Sequence, residues 1–314
     1  MQQSDVVIEK RNTIRTVSSI FKSKRNLGNY LFLAPGLLFL MFFMIFPIFY
    51  NLLLGFQNVT LMNLRGEHEF IGLSNYINIF LDPVFKISFV NSIIFTAMCI
   101  FFQFAIGFAF ALLFNMNFPG KNFLRSLLLL AWMLPMIITS TLFRWMMSGD
   151  YGVFNYFLLV LGIIDEPILW LTETSTSLLG TIIANIWIGV PFNMIILLGG
   201  LQSLPDHLYE AAKIDGASRF QQFRHITLPL MRPTILILLM LGVIYTFKVF
   251  DLIYIMTGGG PVNSSYVLPF YAFNLAFVKF DFSMGAAVAT LMFVFLCIVS
   301  AIYLWFLRKE EQIH

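Results

Sequence analysis

The residues of this chain with the clearest chemical potential lie inside an apolar stretch. Asn185, Gly189 and Phe192 are spaced i, i+4 and i+7, so a helix would present them on one face. An amide, a glycine that leaves room and a flat apolar ring together suit a solute with hydroxyl edges and C–H faces, such as a sugar. The alternative is a polar contact between two membrane helices with small-residue packing. These three residues alone leave both interpretations open.

A second chemical feature is a pair of opposite charges in an apolar segment. Lys248 and Asp251 are three residues apart and can face each other on one helical turn. We expect a local ion pair, which would partly offset the cost of burying both charges. In the alternative, Lys248 contacts an acidic saccharide.

Motifs for catalysis, nucleotide binding and metal binding are missing from the sequence. Gly120-Lys121 lacks the preceding glycine and the following hydroxyl of a phosphate-binding loop, and Gly258–Gly260 runs into Pro261, which is typical of a tight turn. Cys99 and Cys297 lie in apolar runs and indicate neither a disulfide framework nor a metal site. We therefore expect no enzymatic activity, no metal and no cofactor in this chain, whose histidines are scattered: His68, His207, His225 and His314.

The composition excludes most soluble protein classes. The chain has 314 residues, of which 59% are hydrophobic and 11% are charged, whereas about 25% are charged in soluble domains. So few charges cannot cover a water-exposed surface, and so many apolar residues exclude disorder. The net charge of +3 is too small to indicate nucleic-acid binding. The sequence therefore predicts an all-α integral membrane protein in contact with lipid.

Six apolar stretches are long enough to cross a bilayer, which needs roughly 20 residues as a helix. A seventh run, Val153 to Ile164, has only 12 residues and is interpreted as an interfacial or re-entrant piece. The predicted spans are Leu31 to Phe56, Ile87 to Phe114, Phe123 to Met147, Ser177 to Leu201, Thr234 to Met256 and Ser283 to Leu307.

Lysine and arginine are distributed unevenly between the two sides. Fourteen of the 19 lie in the two tails and in the links between spans two and three and between spans four and five, against three in the other links. The positive-inside rule then places both termini in the cytoplasm. Residues 1–30 are too long and too charged for a cleaved signal peptide. We expect tails at 1–30 and 308–314 and a six-helix membrane domain at 31–307. Arg144 and Asp150 are expected to form a structural link near the outer end of span three.

The predicted cytoplasmic link at residues 203–233 has helix start and stop signals. Pro205 suits a first helical turn, and Asp206 and Glu210 suit its positive end. Gly216 is well placed as a C-terminal cap. This half of the link is thus predicted to be a short amphipathic helix.

The second half of the link begins with a capping box formed by Ser218 and Gln221. Pro229 and Pro233 are predicted to end this short helix and to return the chain to the membrane. Two short helices at an angle would be a docking element for a partner. The alternative is a surface loop that merely joins two spans.

The same link resembles the EAA loop of ABC-transporter permeases. The matching residues are Glu210-Ala211-Ala212, Asp215-Gly216-Ala217, Phe223, Ile226, Leu228-Pro229 and Pro233. Three further segments resemble the carbohydrate-import subfamily of maltose and glycerol-3-phosphate type permeases: Leu33-Ala34-Pro35-Gly36 after Tyr30, Phe70 to Tyr76, and Phe250 to Tyr254 with Thr257 to Pro261.

The resemblance implies a type I importer fold in a prokaryotic plasma membrane. It implies a second homologous permease, two ATPase subunits that hold ATP and Mg, and an extracytoplasmic solute-binding protein as partners. In the family the EAA loop couples to the ATPase, a role that falls here on Glu210, Ala211, Ala212, Asp215, Gly216, Ala217, Leu228 and Pro229. The matching parts of spans four and five line the family's solute path, and the corresponding residues here are Asn185, Ile188, Gly189, Phe192, Tyr245, Thr246 and Val249, with Lys248 beside them.

The leading hypothesis is therefore the permease subunit of an ATP-driven saccharide importer. An importer of an acidic saccharide or a sugar phosphate is a narrower alternative. An ion-coupled secondary transporter would need acids inside the membrane, and only Asp251, with Lys248 nearby, is available. A membrane receptor or scaffold would not require a docking hairpin.

Overall fold

The computed structural model describes residues 27–311 and is mostly helical. The predicted all-α class is confirmed, apart from a two-residue antiparallel pairing of strands β1 (Gln57–Asn58) and β2 (Glu69–Phe70). Most of the predicted tail at 1–30, and residues 312–314 of the predicted C-terminal tail, lie outside the described residues. The last helix continues to Glu311, beyond the predicted boundary at 307.

The chain forms two compact units, one ending at Leu53 and one starting at Leu54. In the first unit, helix α1 (Leu27–Leu40) continues through a π-helical turn, Met41–Ile45, into α2 (Phe46–Leu54), of which only the last residue is assigned to the second unit. The second unit contains α3 (Ser74–Leu81), α4 (Pro83–Asn115), α5 (Lys121–Met133), α6 (Met136–Met146), α7 (Val153–Val160), α8 (Ser177–Gln202), α9 (Asp206–Ile214), α10 (Arg219–Gln222), α11 (Leu228–Phe247), α12 (Asp251–Met256), α13 (Leu268–Phe273) and α14 (Phe282–Glu311). Two further π-helical segments are Phe223–Thr227 and Asn274–Val278.

Five of the six predicted spans overlap continuous helices that are long and apolar enough to cross a membrane. The predicted third span is a bent pair of helices. The predicted span from Phe123 to Met147 is the helix pair α5 and α6, which meet at 97°. Leu134 and Pro135 both adopt extended backbone at the bend. A residue before proline is pushed out of the helical region by the proline ring, so the bend occurs where the sequence places its Leu-Pro step.

The predicted fifth span needs two corrections. Its helix begins at Arg219 and ends at Phe247, and α12 is a separate short helix that follows a break at residues 248–250. The predicted end of the preceding helix at Pro229 and Pro233 is also wrong, since the helix continues through both.

Two of the π-helical turns explain how Pro47 and Pro229 are tolerated. The Leu228 N–H bonds to the Phe223 carbonyl, five residues back, one step before Pro229. The Phe46 N–H bonds in the same way to Met41, one step before Pro47. A proline lacks the N–H donor and its ring crowds the carbonyl four residues earlier, and a widened turn relieves that crowding.

Helices α4 and α8 form the central packing of the second unit. Their backbones approach closely at Gly107, where an added Cβ would lie 2.6 Å from the Asn193 Cβ. Small residues at such crossings are typical of membrane helix pairs.

The start of α4 is fixed by Asp82. One carboxylate oxygen accepts a hydrogen bond from the Val84 N–H at 2.8 Å, and the other accepts one from the Tyr271 hydroxyl. Burial raises the pKa of Tyr271 well above its ordinary value, and the hydrogen bond to Asp82 raises it further. The neutral phenol therefore keeps donating across the physiological pH range.

Candidate functional site

A cavity of about 470 Å³ lies between the middle of α8, the end of α11 and the bend between α5 and α6. All eight residues predicted for a solute path line it: Asn185, Ile188, Gly189, Phe192, Tyr245, Thr246, Lys248 and Val249. Sequence positions up to 64 residues apart are thus brought together on one surface. Asn185, Gly189 and Phe192 all lie on α8 and line this cavity together.

Gly189 leaves room for the close approach of Gln103 from α4. The Gln103 Nε2 donates a hydrogen bond to the Asn185 carbonyl at 2.9 Å. A Cβ on residue 189 would lie 2.2 Å from the Gln103 Cδ, so a larger residue would displace the Gln103 amide from its place across the helix. Asn193 donates in turn to the Gly189 carbonyl at 2.9 Å. The polar part of the cavity wall is therefore held in one geometry by hydrogen bonds.

Aromatic rings form the apolar part of the wall. The Phe192 ring centroid lies 5.7 Å from that of Trp132 and 6.3 Å from that of Tyr245. Trp132 and Tyr245 remain 50% and 54% exposed, so their faces are available to a ligand. Flat aromatic faces beside a few placed polar groups are typical of small-molecule sites.

The two charges of the cavity do not form the predicted ion pair. No ion pair joins Lys248 to Asp251 among the described residues, where α11 ends at Phe247 and Asp251 opens a new helix. The Lys248 ammonium instead lies 5.0 Å from the Tyr245 ring centroid, a cation–π distance. Both charged side chains are exposed and line the cavity, which leaves their hydrogen-bonding groups available.

Seven lining residues were absent from the predicted solute path: Gln103, Trp132, Met136, Asn193, Gly242, Phe250 and Asp251. Gln103 had a recognisable signal, since a lone amide in an apolar span tends to face a cavity or a partner helix. Trp132 and Met136 had no such signal in the sequence, because they reach the cavity only through the sharp bend between α5 and α6.

The hairpin at residues 203–233 contains both predicted caps. Gly216 has φ +78°, and the N–H groups of Gly216 and Ala217 donate to the carbonyls of Lys213 and Ala212. This is the Schellman arrangement, which favours glycine because of its positive φ. Ser218 and Gln221 exchange hydrogen bonds as a capping box. The two helices of the hairpin thus have fixed ends and a fixed turn between them.

Hydrogen bonds join the hairpin to the first turns of the long helix Arg219–Phe247, and some apolar side chains of the hairpin remain exposed. The Tyr209 hydroxyl lies 2.9 Å from the Thr227 hydroxyl, and Gln222 donates to the Ala217 carbonyl at 3.0 Å. Ile214 and Phe220 are 87% and 70% exposed. An anchored hairpin with protruding apolar residues is suited to contact another protein.

The residues predicted for ATPase coupling fall into three groups. Glu210 and Ala211 are exposed, whereas Leu228 and Pro229 are half-buried in the long helix. The other four line a crevice of about 360 Å³ beside the turn: Ala212, Asp215, Gly216 and Ala217.

Arg144 and Asp150, predicted to pair, are likewise not joined by an ion pair in the described part of the chain. The Arg144 guanidinium instead donates to the Ile255 carbonyl at 3.2 Å, near the C-terminal end of α12. A cation there interacts favourably with the helix dipole.

Comparison with known proteins finds a family match over residues 103–311, to the binding-protein-dependent transport system inner membrane component. A trehalose/maltose transport system permease protein of Thermococcus litoralis is 34% identical over 88% of this chain and 92% of its own length. A sulfoquinovosyl glycerol transport system permease protein of Agrobacterium fabrum is 33% identical over 90% of both chains.

Among solved structures, a chain of a bacterial ABC transporter involved in the import of the acidic polysaccharide alginate superposes with a TM-score of 0.78. It is 22% identical and matches over 94% of this chain and 99% of that one. At this identity the match shows the fold, which is that of an ABC importer permease.

Proposed function

Since this chain belongs to the family of binding-protein-dependent transport system inner membrane components, we propose that it is the permease subunit of an ATP-driven saccharide importer. The observation that carries the proposal is the single cavity lined by all eight residues predicted for a solute path. The relatives named for trehalose/maltose and for sulfoquinovosyl glycerol support a saccharide as the solute.

The cavity supplies both kinds of contact that a saccharide needs. Trp132, Phe192 and Tyr245 offer flat surfaces for C–H faces. Asn185 and Gln103 supply amide groups, and Lys248 and Asp251 supply a charged donor and a charged acceptor for hydroxyl groups. The Gln103 amide is already oriented by its hydrogen bond to the Asn185 backbone carbonyl, so this group needs little ordering when a solute binds.

The hairpin at 203–233 is the proposed coupling element. In this mechanism ATP and Mg are bound by two separate ATPase subunits, into which Glu210, Ala211 and the exposed Ile214 and Phe220 dock. Closure of the ATPases moves the hairpin, and its fixed caps pass that motion to the long helix that ends at the cavity. A second homologous permease completes the membrane pathway, and an extracytoplasmic binding protein delivers the solute. One structurally similar transporter was solved with a pentasaccharide-bound periplasmic protein.

Reconstitution tests the function directly. The chain, a candidate second permease, the ATPase and the binding protein are purified together in lipid nanodiscs and assayed with maltose, trehalose and an alginate pentasaccharide. We expect the four proteins to copurify and at least one saccharide to stimulate ATP hydrolysis severalfold. A complex without an ATPase subunit, or uptake that follows an ion gradient and needs no ATP, would contradict the proposal.

A narrower candidate is an importer of an acidic saccharide. It is favoured by the Lys248 ammonium, which lines the cavity with no ion pair to Asp251 among the described residues. In the same assay, stimulation by the alginate pentasaccharide but not by maltose or trehalose would select it. Stimulation by the neutral disaccharides would select the broader proposal alone.

The proposed orientation places the hairpin and both termini on the cytoplasmic side of a prokaryotic plasma membrane, in line with the Lys and Arg distribution. It is tested with single cysteines in a chain without Cys99 and Cys297. In intact cells, a membrane-impermeant maleimide should label Lys279→Cys and spare Lys213→Cys. After permeabilisation both should react. Labelling of Lys213→Cys in intact cells would place the hairpin outside and refute ATPase coupling.

A further inference from the structure

A second cavity, of about 710 Å³, lies at the far ends of α6 and α12 from the first. Three segments surround it, namely residues 141–151, 169–172 and 254–258. It shares no lining residue with the first cavity. No part of the predicted solute path or of the hairpin belongs to it.

The walls of this second cavity are held by a buried amide. Asn155 is 3% exposed, and its Nδ2 donates to the carbonyls of Gly149 and Ile168 at 3.1 and 2.9 Å. Its Oδ1 accepts from the Ile168 N–H and from the Trp170 indole at 3.2 and 2.9 Å. One side chain thereby clamps two of the three surrounding segments together. On another side, Arg144 is fixed by its hydrogen bond to the Ile255 carbonyl.

The chemistry of the second cavity repeats that of the first. Trp145 and Tyr151 line it with side chains that are 69% and 74% exposed. The charged residues of the lining are one cation, Arg144, and one acid, Asp150, and no ion pair links them in the described part of the chain. A guanidinium that makes one hydrogen bond to protein has further N–H donors for a ligand. The first cavity has the same combination of exposed aromatic rings with one Lys and one Asp.

The two cavities are connected by the same pair of helices. Met136, at the start of α6, lines the first cavity, and Arg144, eight residues later, lines the second. Eight residues of α-helix span about 12 Å. Helix α12 packs along α6 and carries Asp251 at the first cavity and Ile255 at the second. The cavities are therefore placed in series along one helix pair.

We propose that the second cavity is a saccharide-binding subsite that the solute occupies before it reaches the first cavity. The inference rests on the proposed function, because it assigns the same solute to both cavities. A pyranose ring stacks on Trp145 or Tyr151, while Arg144 donates to its hydroxyl groups and Asp150 accepts from them. In the proposed orientation this subsite faces the extracytoplasmic side, from which the solute arrives.

The test uses a fluorinated tryptophan encoded at a single position of the chain, within the full complex in nanodiscs. The position is 145, 132 or 305, since Trp145 lines the second cavity, Trp132 the first and Trp305 neither. Maltose, trehalose and an alginate pentasaccharide are each titrated without the binding protein, and fluorine NMR is recorded. We expect saturable shifts at 145 and 132 with the same saccharide and none at 305.

The other outcomes separate this inference from the proposed function. A shift at 132 without one at 145 overturns the second subsite and leaves the first cavity as the saccharide site. No shift at either position with any probe contradicts the saccharide function and this inference with it. In a further sample, the binding protein is added without saccharide. If the signal at 145 shifts only in that sample, the cavity contacts the binding protein, and the subsite is overturned.

Uptake supplies an independent readout. Trp145→Ala should lower kcat/KM for uptake by about tenfold, and Trp145→Phe should restore most of the loss because it keeps a stacking face. Tyr156→Ala is the matched control, since Tyr156 is a nearby exposed aromatic residue that does not line the cavity. Equal uptake by Trp145→Ala and the control would overturn the proposal.

Discussion

Replacing Gly216 with proline is expected to reduce saccharide uptake at least about a hundredfold, with the chain still inserted in the membrane. Position 216 has φ +78° and its N–H donates to the Lys213 carbonyl. Proline fixes φ near −65° and has no N–H, so the turn between the two hairpin helices cannot form. The expected result is ATP hydrolysis that saccharide and binding protein no longer stimulate, measured beside uptake in proteoliposomes.

Gly216→Asn is the matched control for this prediction. Asparagine tolerates the left-handed region and keeps the N–H donor, so it should retain uptake within severalfold of the unmodified chain. Unchanged uptake by Gly216→Pro would refute coupling through the hairpin. Complete loss in both variants would show that the position tolerates only glycine. The loss could then not be assigned to the positive φ and the N–H donor, because asparagine keeps both.

The second large effect is expected at the first cavity. Gly189→Leu should abolish uptake, by about a hundredfold or more, since its Cβ alone would lie 2.2 to 2.5 Å from the Gln103 amide. The remaining side-chain atoms would enter the cavity or displace Gln103 from Asn185. Uptake and ATP hydrolysis are measured on complexes that elute normally in size-exclusion chromatography.

Gly199→Leu provides the comparison, because Gly199 lies on the same helix and a Cβ there meets nothing within 4 Å. It should keep most of the activity. Gly189→Ala should lower uptake, because its Cβ would clash with the Gln103 amide. Combining it with Gln103→Ala removes the clash and should restore uptake. Such coupling identifies the two residues as direct neighbours. Full activity of Gly189→Leu would exclude this cavity from the solute path.

The sequence predicted the local features whose causes are local. Gly216 and the Ser218–Gln221 pair act within one turn of backbone, so their types and spacing predict the caps that the structure contains. The membrane spans were similarly predictable, since a bilayer requires a fixed length of apolar helix. The eight cavity residues were found because a helical face and a family resemblance both pointed to α8 and α11.

Features that depend on distant contacts were not predictable in this way. Pro229 reads locally as a helix end, yet the π-helical turn and the packing of Phe223 on the core let the helix continue. Spacing alone paired Lys248 with Asp251, because a break at 248–250 cannot be read from an apolar sequence. Trp132 joins the cavity only through a 97° bend, whose direction depends on the helices that surround it.

The break at residues 248–250 has a consequence for how this protein should be mutated. Helix ends leave peptide groups without intrahelical partners, and the end of α11 and the start of α12 both border the first cavity. A ligand there can form hydrogen bonds with backbone N–H and C=O groups, which are present whichever side chain the residue carries. Alanine scanning would then understate recognition, and amide-to-ester replacement along 246–252 would expose it. Side-chain substitutions at these positions would leave such peptide contacts in place.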